Sequence, residues 1–273
     1  MPTFAAADGT TLYYTDEGQG TVILCLAGLS RNGTDFDYVA PHLQGCRVIR
    51  LDYRGRGRSD WADPATYTIP QEAQDALTLL DHLKIGRAAI LGTSRGGLIG
   101  MGLAAMAPDR LTGLAMNDIG PEIASGGIDA IGVYLGRNPA QKTYAEAAAM
   151  RAELMAGFVG VPEARWREEV RKHYVQTPDG LIINYDPRLR EGFEASRGQP
   201  LPDIWPWFDA LGGLPAAVIR GANSDLLTQD TVAAMKARMP DLITAEVPGR
   251  GHVPFLDEPE ALAALRTWID RLP

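Results

Sequence analysis

An α/β protein with a mostly parallel, doubly wound sheet and a helical insertion is what this sequence predicts, and three observations predict it. Short apolar runs of strand length alternate with helical stretches over residues 1–120. The alternation stops between Gly120 and about Pro215, where helical patterns continue without a comparable strand. It resumes after Gly212-Gly213 with two more strands and a capped final helix. Strands joined by helices in this rhythm form a parallel sheet with right-handed crossovers and helices on both faces. The expected units are residues 1–120 with 213–273, carrying the sheet, and residues 121–212, the insertion.

Each element has its own reason. Residues 10–15 follow the Asp8-Gly9 turn, are β-branched and aromatic, and read as half of an edge hairpin with residues 4–6. Val22-Ile23-Leu24-Cys25-Leu26 is apolar at every position, the pattern of a strand covered on both faces. A short helix is expected over 35–43 and a strand over 48–51. Arg54, Arg56 and Arg58 then alternate with Gly55 and Gly57, which reads as a loop. From Ile69 or Pro70, Ala73, Leu77, Leu80 and Leu83 recur at helical spacing, with Gly86 placed as a C-terminal cap. A strand from Ala88, a helix from about Arg95 to Pro108, and a strand over 114–119 follow. Within the insertion, 143–158 and 162–174 are helical, and Leu181-Ile182-Ile183 is too short to assign. The chain closes with a strand over 216–220, a helix over 229–239 and a strand over 243–247. The final helix has Asp257 as N-cap, Pro259 in its first turn, and Leu262, Leu265, Ile269 and Leu272 as its buried stripe.

Composition narrows the function. The chain has 273 residues, 45% of them apolar, and a formal charge of −8, which speaks against a nucleic-acid partner. Residues 1–8 lack a basic start and an apolar core, so no targeting segment is expected. No run of about 18 apolar residues offers a membrane span. A cytoplasmic protein acting on a small molecule, without a membrane or nucleic-acid partner, is therefore expected. Cys25 and Cys46 fall in or beside strands and read as small core hydrophobes, not as a disulfide or metal ligands.

The chemistry centres on Gly92-Thr93-Ser94-Arg95-Gly96, between the strand from Ala88 and the helix that follows. A serine framed by glycines at a strand-to-helix reversal is presented as a nucleophile, because a Cβ at either glycine would collide with a neighbour. Such a serine needs a base, and the base needs an orienting acid. Of the four histidines, His42 and His82 fall in flanking helices and His173 in the insertion. His252 lies in a loop just past the last strand, on the sheet edge that holds Ser94. Asp225, after the preceding strand, is the expected acid; Asp118, at the end of the 114–119 strand, is the alternative.

The serine–acid–histidine order, the G-x-S-x-G turn and the Asp52-Tyr53-Arg54-Gly55-x-Gly57-x-Ser59 stretch together resemble the α/β-hydrolase-fold serine hydrolases over nearly the whole chain. Leu26-Ala27-Gly28-Leu29 resembles their oxyanion loop, with Ala27 where many members carry histidine. The resemblance implies an oxyanion hole from the backbone N–H groups of Leu29 and Arg95, and a cap formed by the insertion. It implies hydrolysis of a small ester or lactone through an acyl-enzyme on Ser94, with no metal or organic cofactor. Carbon–carbon bond hydrolase, amidase and perhydrolase activities use the same residues, and a non-catalytic binding protein of the same fold is a further alternative. Candidate substrate contacts are Arg31 or Arg95, as a carboxylate partner, and Trp205, Trp207 and Phe208, as a pocket lining; pairing of the arginines with acids at the rim and packing of the aromatics between insertion and sheet are the competing roles.

Overall fold

The apolar runs become strands and the amphipathic runs become helices in the computed structural model, which describes residues 2–199 and 202–273. A hairpin opens the chain, β1 (Thr3–Ala5) and β2 (Thr11–Gly18), turning at Gly9, where φ is +87°. Strands β3 (Thr21–Leu26) and β4 (Cys46–Leu51) follow. The single helix expected between them is two 3-10 turns, Gly33–Phe36 and Ala40–His42. Asn32 caps the first through Thr34 N–H, and Pro41, lacking an N–H, cannot continue the ladder into a helix.

Helix α1 (Ile69–His82) starts on the side chain of Thr68, which accepts from Gln71 N–H. The left-handed residue beyond its end is Lys84, φ +56°, where Gly86 was expected to serve. Next come β5 (Ala88–Thr93), α2 (Arg95–Met106) and β6 (Leu111–Asn117). The inserted elements are α3 (Ser125–Tyr134), α4 (Tyr144–Leu154), α5 (Glu163–His173), a hairpin of β7 (Tyr174–Thr177) and β8 (Gly180–Ile183), and α6 (Leu189–Ser196). Thr143 and Glu146 close a capping box on α4. The short run at Leu181 is thus a strand, paired only with β7. Then follow α7 (Trp205–Asp209), β9 (Ala216–Gly221), α8 (Gln229–Arg238), β10 (Ile243–Val247) and α9 (Pro259–Ile269). Glu258, not Asp257, is the N-cap residue of α9, because Asp257 turns outward to a two-bonded pair with Arg165.

One sheet runs β1-β2-β4-β3-β5-β6-β9-β10, and every pairing from β4 to β10 is parallel. The chain lays β4 on one side of β3 and then crosses to put β5 on the other. That reversal opens a crevice at the strand ends between β3 and β5, the place where such sheets hold ligands. Alternate residues serve the two faces. Leu24, Leu26, Ile49, Ile90, Leu114 and Met116 pack with Ala76 of α1, Leu103 of α2 and Met235 of α8. Ile23, Cys25, Leu91, Ala217 and Ile219 pack with Leu262, Leu265 and Trp268 of α9. At about 1.5–3 kcal/mol per fully buried side chain, these two layers hold the sheet rigid under the crevice. The inserted helices have a separate apolar cluster, Ala147 and Ala148 of α4 against Trp166 and Val170 of α5 and Leu181 of β8. Among the described residues no helix is long and apolar enough to cross a membrane. Cys25 and Cys46 are free and buried, and burial pushes the Cys25 thiol up to about 12.

Candidate active site

β5 delivers Ser94 on a turn that only glycines permit. A Cβ at Gly92 would lie 2.5 Å from backbone atoms of Gly96 and Gly97, and one at Gly96 would lie 1.9 Å from the Leu26 carbonyl oxygen. Those contacts let α2 fold back tightly onto β5 and β3. Ser94 itself has φ +50° and ψ −115°, a conformation costing a non-glycine residue about 1–3 kcal/mol. Its N–H donates to the Asn117 carbonyl at 3.0 Å, which helps hold the turn against β6.

The His252 loop, between β10 and α9, reaches the same point. His252 Nε2 is 3.0 Å from Ser94 Oγ, and Nδ1 is 2.7 Å from Asp118 Oδ2. Asn117 Nδ2 donates to the Pro254 carbonyl at 3.0 Å, tying the loop to the end of β6. Asp118 is fully buried. Its Oδ1 accepts the Gly221 N–H at 2.8 Å, and its Oδ2 also accepts the Ser224 hydroxyl at 2.6 Å.

The acid on His252 is therefore Asp118 and not the expected Asp225. The loop after β9 does come to the site, but it contributes the Gly221 N–H and Ser224. Ser224 Oγ accepts the N–H groups of Leu226 and Leu227, a tight turn that faces Ser224 inward and leaves Asp225 exposed. Sheet order explains the choice: β6 neighbours β5, whereas β9 lies one strand farther out. The available signal was the Asn117-Asp118 pair ending an otherwise apolar strand.

The loop after β3 is braced by side-chain donors. Tyr53 Oη donates to the Ala27 carbonyl at 3.1 Å and Arg56 Nε to the Leu29 carbonyl at 3.0 Å, so the carbonyls of this loop are held from below. The N–H groups of Leu29 and Arg95 donate to no acceptor among the described residues. The arginine- and glycine-rich loop is what supports them. Asp52 accepts the Gly33 N–H at 2.7 Å and the Arg58 N–H at 2.9 Å, and a Cβ at Gly57 would lie 2.2 Å from its Oδ2. Arg56 pairs with buried Glu72 at 2.9 Å, and Arg54 holds Asp75 through two 2.7 Å bonds.

The other expected contacts have different occupations. Arg31 bonds Asp35 at 3.1 Å, Glu169 at 3.2 Å and the His173 imidazole, so its charge is already matched. Burial works against its charge, but Asp35 and Glu169 outweigh it and raise the guanidinium above its ordinary range. Arg95 pairs with Glu72 at 2.5 Å and bonds the Tyr67 carbonyl at 3.0 Å. The aromatic trio packs against the sheet's core. Phe208 is fully buried in the sheet's core, Trp207 lies over Gly102 of α2, and Trp205 donates to Glu122 at 2.9 Å under the Arg238 guanidinium.

A hydroxyl hydrogen-bonded to an imidazole, itself held by a buried carboxylate, can lose its proton as it attacks an electrophilic carbon.

The chain belongs to the alpha/beta hydrolase family, whose profile matches residues 23–265. It is a hydrolase of that family. It is 40% identical over 259 residues to a 3-hydroxybutyrate-oligomer hydrolase of Cupriavidus necator, covering 91% of this chain and 88% of the relative. A 2-(acetamidomethylene)succinate hydrolase of Mesorhizobium japonicum is 26% identical, over 95% of this chain and 92% of that one. Among solved structures, an alpha/beta hydrolase of Novosphingobium aromaticivorans superposes with a TM-score of 0.92 at 38% identity, covering 99% and 98% of the two chains.

Proposed function

We propose that the protein hydrolyses a small-molecule carboxylic ester or lactone through an acyl-enzyme on Ser94. The observation that carries this reading is the unbroken chain Ser94 Oγ, His252, Asp118, with 3.0 Å and 2.7 Å links. His252 Nε2 takes the serine proton as Oγ attacks the ester carbonyl. The Leu29 and Arg95 N–H groups receive the oxyanion. Collapse expels the alcohol, protonated by His252, and leaves the acyl group on Ser94. A water deprotonated by His252 then attacks the acyl carbon and releases the acid. Asp118 keeps the imidazole proton on Nδ1, so that Nε2 faces the serine as a base.

The substrate class takes support from the 40% identity, over most of both chains, to a hydrolase of 3-hydroxybutyrate oligomers, which are esters. A turnover screen tests the reading. It sets 3-hydroxybutyrate oligomers and p-nitrophenyl butyrate against lactones, aryl amides and 2-(acetamidomethylene)succinate. Ester or lactone turnover at least a hundredfold above Ser94→Ala is expected, at about the scale that loss of a nucleophile imposes. Turnover of amides or of the succinate alone would contradict it.

A further inference from the structure

Above the Ser94 crevice, the loop after β3 meets α4 and α5 through a layer of basic side chains: Arg31, Arg151, Lys172 and His173. Three of them have partners. Arg31 holds Asp35 and Glu169. His173 takes an Arg31 N–H at Nε2, and burial, reinforced by the charges of Arg31, Arg151 and Lys172, keeps its imidazole neutral. Lys172 Nζ sits 3.4 Å from the Tyr38 ring centroid and 3.8 Å from the Asp37 carboxylate.

Arg151 differs. Its Nε, like Lys172 Nζ and His173 Nδ1, is buried without a hydrogen-bond partner. Unlike those two side chains, its guanidinium makes no hydrogen bond or ion pair among the described residues. Its position follows from helix geometry. Arg151 lies three and four residues after Ala148 and Ala147, so it shares the α4 face that packs on Trp166 and Val170 of α5. Glu169 and His173 belong to that part of α5, and both hold Arg31. Arg31 in turn stands beside the nucleophile: a Cβ at Gly28 would lie 3.2 Å from Arg31 Cγ and 3.9 Å from Ser94 Cβ. Glu169 is the one carboxylate here that feels three cations at once. Burial raises the Glu169 carboxyl, yet Arg31, Arg151 and Lys172 outweigh it and hold the group below its ordinary value. A half-buried guanidinium whose Nε has no acceptor is unfavourable unless a ligand supplies one.

We propose that Arg151 binds a carboxylate carried by the substrate, next to the ester being cleaved at Ser94. This rests on the ester-hydrolase reading and adds to it the charge of the substrate and the residue that reads it. A planar carboxylate offers two acceptor oxygens that match the guanidinium fork, and one free cation neutralises one such charge. An oligomer of a hydroxy acid carries this group at its end, a few bonds from its terminal ester. Arg31, held by Asp35 and Glu169, is not available for that carboxylate and leaves it to Arg151.

The experiment compares two probes with the same scissile bond: the linear dimer of 3-hydroxybutyrate, and that dimer with its terminal carboxylate capped as the primary amide. The native protein is expected to favour the free acid by about 10–100-fold in kcat/KM, the scale of one charged hydrogen-bonded contact. Arg151→Gln should bring the ratio to within about threefold of one, chiefly through KM, and Arg151→Lys should restore part of it. In a Ser94→Ala background, calorimetry should show Kd for the acid rising by a similar factor on adding Arg151→Gln. A native-like ratio in Arg151→Gln, or equal losses on both probes, would overturn the inference. So would native turnover of p-nitrophenyl butyrate without preference for the acid dimer, which leaves the ester reading standing. Absence of turnover of any ester would instead remove the ester reading and this inference with it.

Discussion

Replacing Asp118 by asparagine separates the two candidate acids. The Asp118 carboxylate is fully buried and receives three donors: Gly221 N–H at 2.8 Å, the Ser224 hydroxyl at 2.6 Å and His252 Nδ1 at 2.7 Å. An asparagine fits the space. If its amide oxygen stays on the Gly221 N–H, its NH2 group faces Ser224 and His252 Nδ1. The imidazole must then carry its proton on Nε2, pointing at Ser94 Oγ and unable to accept the serine proton. A wrong tautomer of this kind costs about 10⁴ in kcat, close to 5.5 kcal/mol of transition-state stabilisation. Asp225→Asn, at an exposed side chain, should stay within about twofold of the native rate. The assay is kcat for p-nitrophenyl butyrate from pH 6 to 9, with unfolding midpoints for both variants. A fall of a thousandfold or more in Asp225→Asn, with Asp118→Asn near native, would refute the reasoning.

Two further outcomes follow from the buried charges. Arg54→Met strips both 2.7 Å bonds from buried Asp75 and should cost about 3–5 kcal/mol in urea unfolding, whereas Arg54→Met with Asp75→Leu should recover most of it; equal losses in both variants would contradict this. Burial pushes the Asp35 carboxyl up to about 6 despite Arg31. Because that value lies above the unfolded one, the folded state binds the Asp35 proton more tightly, and ionising it weakens folding as pH rises from about 4 through 6. Native stability measured against Asp35→Asn should therefore decline across that window by an amount on the order of 1–3 kcal/mol and level off above it, and a difference independent of pH would contradict the assignment.

What could be read in advance was whatever short-range chemistry decides. Gly92 and Gly96 announce the Ser94 turn because the constraint lies within five residues. His252 stands out because it follows the last strand at the correct sheet edge. The acid was harder to find. Its identity depends on which strand neighbours β5 and on how the 221–227 loop turns, and both are set by tertiary packing. The same limit applies above the crevice. Arg31 is taken by Asp35, four residues on and open to reading in the sequence, and by Glu169, 138 residues away and not. Trp205, Trp207 and Phe208 looked like a pocket because aromatic clusters serve either role, and only their fit on α2 settles that they pack. Of the insertion, α4 was legible from its helix formers and capping box. The β7–β8 hairpin was not, since four-residue strands carry too little pattern. Arg151 gave no local signal, because what marks it is that its guanidinium has no hydrogen bond or ion pair among the described residues.

Covalent capture of Ser94 tests the central claim most directly. A fluorophosphonate probe mimics the tetrahedral species and reacts with a serine only where a base and oxyanion donors activate it. Peptide mass spectrometry should place a single adduct on Ser94 in the native protein, with labelling lost in Ser94→Ala and slowed by orders of magnitude in His252→Ala. Labelling that survives Ser94→Ala, or an adduct on another serine at the same rate, would contradict the account.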